Sequence, residues 1–275
     1  MLKLSEPRFV SEGDYESLKD LWQTSFDDSR AVLDAYFGKT VTPQSVIAVF
    51  EGEIPVSAMH LLPYRIVTPD GQSFYAYYVY GVCTHPRYRG KGLMKRLFDF
   101  AVSYGREQGA DYLVLIPAEE YLFSVYEKLG FKTGFFYDEK RALSSASGEN
   151  VPEYSKTVTY DEYASAAICR SVTVAVPCER SFNGIYNSVS SDVGWVNVPE
   201  KGWALFERLE EEIIVRELYG DENVLLPCVF KETGADSAAV RIPCRKGEGI
   251  PYGMYLKILD CPDIDNGFFG MPYAT

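Results

Sequence analysis

Apolar residues near the amino terminus recur at three- and four-residue intervals. Tyr15, Leu18, Leu21, Trp22 and Phe26 share one helical face, and Val32, Leu33, Tyr36 and Phe37 resume it after the polar Asp27-Asp28-Ser29. Two short helices are expected. The period then shortens. Val46 to Phe50 and Ile54 to Leu62 read as strands joined by the turn Glu51-Gly52-Glu53, and Tyr64 to Val67 as a further strand beyond Pro63. Pro69-Asp70-Gly71 turns the chain into Ser73 to Val82.

A different rhythm follows. Tyr80 to Thr84 reads as a strand end, His85 to Gly92 as a basic turn, and Leu93, Leu97, Phe98, Ala101 and Tyr104 as one face of a helix ending near Gln108. Tyr112 to Ile116 is an apolar strand, Tyr121 to Leu129 a short helix stopped by Gly130, and Phe131 to Tyr137 a closing strand. Strand, helix and strand joined this tightly imply a right-handed crossover in an α/β sheet. Ser144 to Pro152 is small and polar, the composition of a linker.

Beyond it, Asp161 to Arg170 and Glu179 to Asn187 read as helices, Trp203 to Arg208 and Ile213 to Leu218 as a hairpin, Asn223 to Glu232 as a helix and Ser237 to Ile242 as a strand. Gly234-Ala235-Asp236 before that strand echoes Gly109-Ala110-Asp111 before the strand ending at Ile116. Both follow a strand, a turn and a helix, as a diverged duplication would. In the second copy the turn is Tyr219-Gly220-Asp221-Glu222-Asn223, acidic where the first is basic, and unsuited to a pyrophosphate.

The totals narrow the function. A chain of 275 residues with 47% hydrophobic content is long for one domain. Two are expected, at residues 1–143 and 153–275. A formal charge of −12, from 39 acidic and 27 basic residues, repels phosphate backbones and anionic lipid, so neither nucleic acid nor membrane is an expected partner. A cationic amine is compatible with that field. The amino-terminal residues lack a signal-peptide pattern, and no apolar run approaches the ~20 residues that span a bilayer, so a cytoplasmic setting is expected. Six cysteines without a C-x-x-C pair, and only two histidines, leave no zinc pattern.

The chemistry concentrates in His85-Pro86-Arg87-Tyr88-Arg89-Gly90-Lys91-Gly92-Leu93. Glycines allow close backbone approach, a helix start presents unpaired N–H groups with a positive dipole end, and Arg87, Arg89 and Lys91 add full charges. Such a turn suits a diphosphate. It is neither a P-loop, for want of the Gly-Lys-Ser/Thr ending, nor a G-x-G-x-x-G dinucleotide turn.

These residues resemble motif A of the GCN5-related N-acetyltransferase (GNAT) superfamily, whose loop reads Arg/Gln-x-x-Gly-x-Gly/Ala. Arg89 takes the first place and Gly92 the fourth, which leaves Met94 where Gly or Ala is usual; Arg87, Gly90 and Gly92 fit one step earlier. Tyr126 to Phe131 resembles the family's Tyr-x-x-x-Gly-Phe element. The large residue in the last slot and the two-part chain resemble the tandem-domain Eis-type branch, without room for its sterol-carrier-like domain. The resemblance implies an α/β (α+β) fold, a GNAT-like central mixed sheet flanked by helices, followed by a second, degenerate GNAT-like unit.

It also implies roles. The strand before the loop would splay from its neighbour at a bulge, and its free backbone groups at Val82, Cys83 and Thr84 would bond the pantetheine arm of acetyl-CoA, with a backbone N–H such as that of Val82 polarising the thioester. Arg87, Arg89, Gly90, Lys91, Gly92, Leu93 and Met94 would hold the diphosphate, and Tyr126 would protonate the departing thiolate. Trp22, Phe26, Asp27 and Asp28 occupy the region that usually walls the acceptor pocket, with Tyr80 and Glu119 as further candidates. Trp22 and Phe26 also fit a core, Glu119 a solvated surface, and Cys83 a small buried strand residue. The expected activity is direct acetyl transfer from acetyl-CoA to a primary amine of a small cationic acceptor. A non-catalytic acyl-CoA-binding protein and a protein N-terminal or lysine acetyltransferase remain open, as does a homo-oligomeric state.

Overall fold

A computed structural model describes residues 3–144, 151–168, 171–188, 192–210 and 212–270. A short edge strand, β1 (Arg8–Phe9), precedes helices α1 (Tyr15–Gln23) and α2 (Arg30–Lys39). The Ser29 side chain caps α2 by accepting from the Val32 N–H, which explains the polar break between the two helices. Strands β2 (Val46–Glu51), β3 (Ile54–Val67) and β4 (Ser73–Thr84) form the expected antiparallel meander. The break expected at Pro63 does not occur. Pro63 pairs within β3 opposite Tyr77, and its carbonyl accepts from the Cys178 N–H at 3.0 Å and from Ser181 Oγ at 2.8 Å.

Helix α3 (Leu93–Glu107) connects β4 to the parallel strand β5 (Tyr112–Leu115), and α4 (Glu120–Glu127) connects β5 to β6 (Lys132–Leu143). Then come α5 (Tyr160–Ile168), β7 (Thr173–Pro177), α6 (Glu179–Ser188), β8 (Val193–Val198), β9 (Gly202–Leu209), β10 (Glu212–Gly220), α7 (Glu222–Thr233), β11 (Ser237–Pro243), β12 (Ile250–Lys257) and β13 (Gly267–Phe269). The linker expected at 144–152 lies mostly outside the described residues.

All the strands belong to one mixed sheet of order β1-β2-β3-β4-β5-β12-β6-β11-β10-β9-β8. The boundary expected near residue 150 does not divide it. Strand β12, placed by the sequence in the second unit, lies between β5 and β6 and is antiparallel to both. In addition β13 pairs with β6 and β7, and β7 pairs with β3. The strands β3, β4, β5, β12, β6, β13 and β7 thereby close into a ring around Tyr64, Tyr78, Phe135 and Phe269, whose rings lie 4.9–5.7 Å apart.

The duplication is visible in the topology. An antiparallel meander, a helix and a strand parallel to the meander's last member occur as β2-β3-β4-α3-β5 and again as β8-β9-β10-α7-β11. Leu93, Leu97, Phe98 and Ala101 of α3 pack on one face of the first sheet, and Leu225, Leu226 and Val229 of α7 on the corresponding face of the second. Helices α1 and α2 lie on the face of the first sheet opposite α3.

Candidate functional site

The site begins at an irregularity in β4. Ala58 pairs with Cys83 and His60 with Tyr80, so one residue of β3, Met59, faces two of β4, Gly81 and Val82. Gly81 takes a φ of 58°, which lets the extra residue be absorbed as a bulge. On the other side β4 pairs with β5 only from Ala76 to Tyr78. Beyond Tyr78 the two parallel strands separate, and the edge at Tyr80 to Thr84 opens onto the gap. The family resemblance implied a bulge in this strand, and Gly81, a glycine inside an alternating strand pattern, is where it falls.

The basic turn closes the end of this gap. His85 receives the Arg87 N–H on Nδ1 at 3.3 Å, starting a single helical turn, Pro86–Tyr88. Arg89 donates from Nε to the Thr84 carbonyl at 3.1 Å, and the Lys91 ammonium lies 4.7 Å from the centre of the Tyr88 ring. Tyr88 in turn donates to Glu51 at 2.7 Å. Gly90 and Gly92 both have φ of 74°, and a side chain built at either would meet no atom within 4 Å. The space beyond them is open. Gly92 is also the N-cap of α3, with no side chain capping the helix, so the first amides of α3 face that space. Arg87, Arg89, Gly90, Lys91 and Gly92 are exposed, Met94 is half-buried and Leu93 is buried, anchoring the helix. These residues fit a diphosphate.

Tyr126 lies in the apolar cluster on the α3 side of the sheet, its ring 5.9 Å from both Phe98 and Phe131, with Val82 and Met94 packed against the same cluster. Burial, with the nearby Tyr121 phenol adding to it, pushes its hydroxyl up to about 12. The gradient for handing a proton to a thiolate of ordinary basicity is therefore steeper than an ordinary phenol would present. Cys83 is buried, and burial pushes its thiol up to about 12, which disfavours the thiolate that a nucleophile would need.

The opposite side of the bulge carries an aromatic wall. Trp22 is 3% exposed and meets Phe26, His60, Tyr80 and Tyr36 at ring distances of 4.8, 5.2, 5.4 and 5.7 Å. Its indole N–H donates to Asp28 at 2.7 Å. His60 shares a hydrogen bond between Nδ1 and the Tyr36 hydroxyl at 2.9 Å. Burial pulls the imidazole down to about 3, so it is neutral. Trp22 thus both packs as core and borders the site, and Tyr80 is half-buried between it and the gap. Asp27 and Glu119 are exposed and join no hydrogen bond or ion pair with this wall. The structure brings Trp22, Phe26 and Tyr80 together and leaves those two carboxylates outside. Asp28, which accepts from Trp22, lies where the resemblance put the acceptor wall, whereas Tyr36, which bonds His60, read only as part of a helix face.

The second copy lacks this arrangement. Asp221 accepts the Asn223 N–H at 3.0 Å and caps α7, and Glu222 occupies its first turn. The amides and field that would hold an anion are taken up by carboxylates. Among the described residues no group of histidine, cysteine and carboxylate side chains is placed to hold a metal. No described helix is long and apolar enough to cross a membrane.

Comparison with known proteins agrees with this geometry. Residues 6–134 match the family model of the acetyltransferase (GNAT) domain. No curated protein matches the sequence. Among solved structures, the chain is similar to a GCN5-related N-acetyltransferase from Kribbella flavida, with 15% identity over 93% of this chain and 70% of that one and a TM-score of 0.70. A GCN5-related N-acetyltransferase from Anabaena variabilis gives 14% identity, 94% and 74% coverage and a TM-score of 0.72. Eis1 from Mycobacterium abscessus gives 10% identity, 90% and 66% coverage and a TM-score of 0.63. At these identities the likeness is one of fold, and it spans both halves of the chain.

Proposed function

We propose, from the premise that residues 6–134 form a GNAT acetyltransferase domain, that this chain moves the acetyl group of acetyl-CoA directly to a primary amine of a small, cationic acceptor. The observation that carries the reading is the coincidence of the Gly81 bulge, the separation of β4 from β5, and the uncapped, glycine-framed start of α3 along one line. Acetyl-CoA, when bound, supplies the acyl carbon and a thiolate leaving group.

The chain's residues would act as follows. The amides from Arg89 to Met94 receive the diphosphate, with the cations of Arg87, Arg89 and Lys91 beside it. The freed edge of β4 at Val82, Cys83 and Thr84 takes the pantetheine arm as an added strand. The Val82 N–H holds the thioester oxygen as it gains charge, an interaction that strengthens toward the transition state. Tyr126 gives its proton to the sulfur. Its raised pKa is matched there, because the apolar cluster that lifts the phenol also lifts a thiolate formed against it. Trp22, Phe26 and Tyr80 offer ring faces to a cationic acceptor. Residues 1–143 with β12 make up the catalytic unit on this reading, and the remainder of 153–275 is the diverged copy.

Calorimetric titration with acetyl-CoA, CoA and desulfo-CoA tests the reading. One site per chain for all three, followed by thiol release in the presence of amines, is expected. A titration without heat would remove the acetyltransferase assignment, and two sites per chain would contradict the capped, acidic start of α7.

A further inference from the structure

The second sheet leaves part of one face uncovered. Along β10, Ile213 and Val215 pack with α7, so Glu212 and Ile214 point the other way. Leu209 stands opposite Glu212, Leu143 stands opposite Ser237, and the parallel register of Ile214 with Ala239 brings Glu212 beside Ser237. On the face away from α7, the last row of the sheet therefore reads Leu209, Glu212, Ser237, Leu143 across β9, β10, β11 and β6. In the first sheet α1 and α2 cover the equivalent face. Here α5 and α6 pack through Tyr163 and Phe182 on Trp195, Trp203 and Leu205, toward the other end of β9. Leu143 is left 72% exposed and Leu209 43%.

An open cavity of about 560 Å³ lies at this row, lined by Arg141, Arg208, Leu209, Glu210, Glu212 and Ser237. Its charges do not neutralise one another. Arg141 donates to Ser237 Oγ at 2.9 Å, and Arg208 to the Thr233 carbonyl at the end of α7, also at 2.9 Å. Among the described residues neither guanidinium pairs with a carboxylate, and Glu210 and Glu212 are exposed without an ion pair. Arg141 stands at the β6 end of the row and the two carboxylates at its β9 and β10 end.

We propose that this row is a self-complementary interface on which a second copy of this chain docks about a two-fold axis. An axis along the strands, midway between β10 and β11, exchanges β9 with β6 and β10 with β11. Leu209 and Leu143 lie at equal distances from it, one and a half strand spacings or about 7 Å. Each Leu143 then covers the partner's Leu209, and each Glu212 accepts from the partner's Ser237. Each Arg141 meets the partner's Glu210 and Glu212. The signs choose the occupant. A small anion would meet the carboxylates and a small cation the guanidiniums, whereas a second copy brings each group its opposite. Leu143 lies eight residues along β6 from Phe135 in the closed ring, about 26 Å of strand, so the contact is remote from the gap between β4 and β5. It does not depend on the acetyltransferase reading.

Sedimentation velocity of the full chain from about 1 μM to about 1 mM tests the contact. A monomer–dimer equilibrium is expected. Leu143→Lys and Leu209→Glu should each weaken it by at least ~10-fold, because the two-fold repeats every loss. Both positions are exposed, so the thermal unfolding of either variant should match the wild type. An equimolar mixture of the two variants should recover the dimer. In the mixed pair one contact sets lysine against glutamate, and the other restores leucine on leucine. A wild type that stays monomeric to ~1 mM overturns the proposal and leaves the cavity to a small charged ligand. A dimer undisturbed by either substitution, or a mixture no more associated than its parts, overturns it as well.

Discussion

The indole of Trp22 occupies the space that any side chain at residue 81 would need. A Cβ built on Gly81 would lie 2.3 Å from the Trp22 ring, on a backbone whose φ is 58°. The bulge in β4 and the aromatic wall are therefore one feature, each shaped to the other. Gly81→Ala combines a left-handed backbone penalty with overpacking and should cost about 2–4 kcal/mol of stability. It should also weaken acceptor use. Trp22→Leu in the same chain should recover part of the loss, with a coupling above ~1 kcal/mol in denaturant unfolding. Strict additivity of the two substitutions would show that Trp22 and Gly81 are independent.

Tyr126→Phe removes the hydroxyl and keeps the packing on Phe98 and Phe131. Turnover should fall by roughly 10–10³-fold with acetyl-CoA affinity nearly intact. Because the phenol is held near 12, its acid form persists through the alkaline range. The wild-type rate should show no fall from ionisation of this group below about pH 11. Equal rates in the two proteins would end the acid role.

Gly92 tests the diphosphate cradle. Its backbone is left-handed but its surroundings are open, so Gly92→Ala should cost only about 1 kcal/mol of stability. Gly92→Glu adds a negative charge and bulk at the start of α3, and acetyl-CoA affinity should fall by at least ~100-fold. Micromolar binding by that variant would place the diphosphate elsewhere.

Much of this was legible because it is local. The basic turn, the α3 periodicity and the Tyr126 element are each contained in a short window, and the repeated Gly-Ala-Asp pointed to the topological duplication. What escaped depends on distant partners. The resemblance implied a bulge in β4, but the alternation in β3 does not say that Met59 is the residue that faces two. The run Ile250–Lys257 has its partners in β5 and β6, far back along the chain, so its sequence cannot reveal which sheet it joins. Asp27, suggested by the resemblance, and Glu119, suggested by its place after the strand Tyr112 to Ile116, are both exposed.

His60 gives the chain an acid-sensitive point. Burial among Trp22, Tyr36 and Phe37 holds it near 3, below its unfolded value of about 6.5. In the window between these values the unfolded state binds more protons than the folded one. Stability from this residue is thus complete above about pH 6.5 and is lost as pH falls toward 3. Urea unfolding from about pH 6.5 to 4.5 should show a steeper decline for the wild type than for His60→Asn. Parallel curves would mean that His60 is protonated in the folded state.

The placement of β12 makes a stronger demand. Residues 6–134 contain the whole basic turn and Tyr126, yet the sheet they form has a gap between β5 and β6 that only Ile250–Lys257 fills. Met254 and Tyr255 are buried there, Met254 in the cluster that holds Tyr126 and Tyr255 against Tyr112 at 6.1 Å. Truncation after residue 249 leaves the edges of β5 and β6 without their backbone partners, a cost far larger than the loss of a surface segment. The shortened chain should show no cooperative unfolding and no acetyl-CoA binding, although every residue of the cradle is present. Supplying a peptide of residues 250–270 in trans should restore some of both. If the truncated chain instead folds and binds acetyl-CoA unaided, β12 is an accessory of the catalytic unit and residues 1–143 suffice for it.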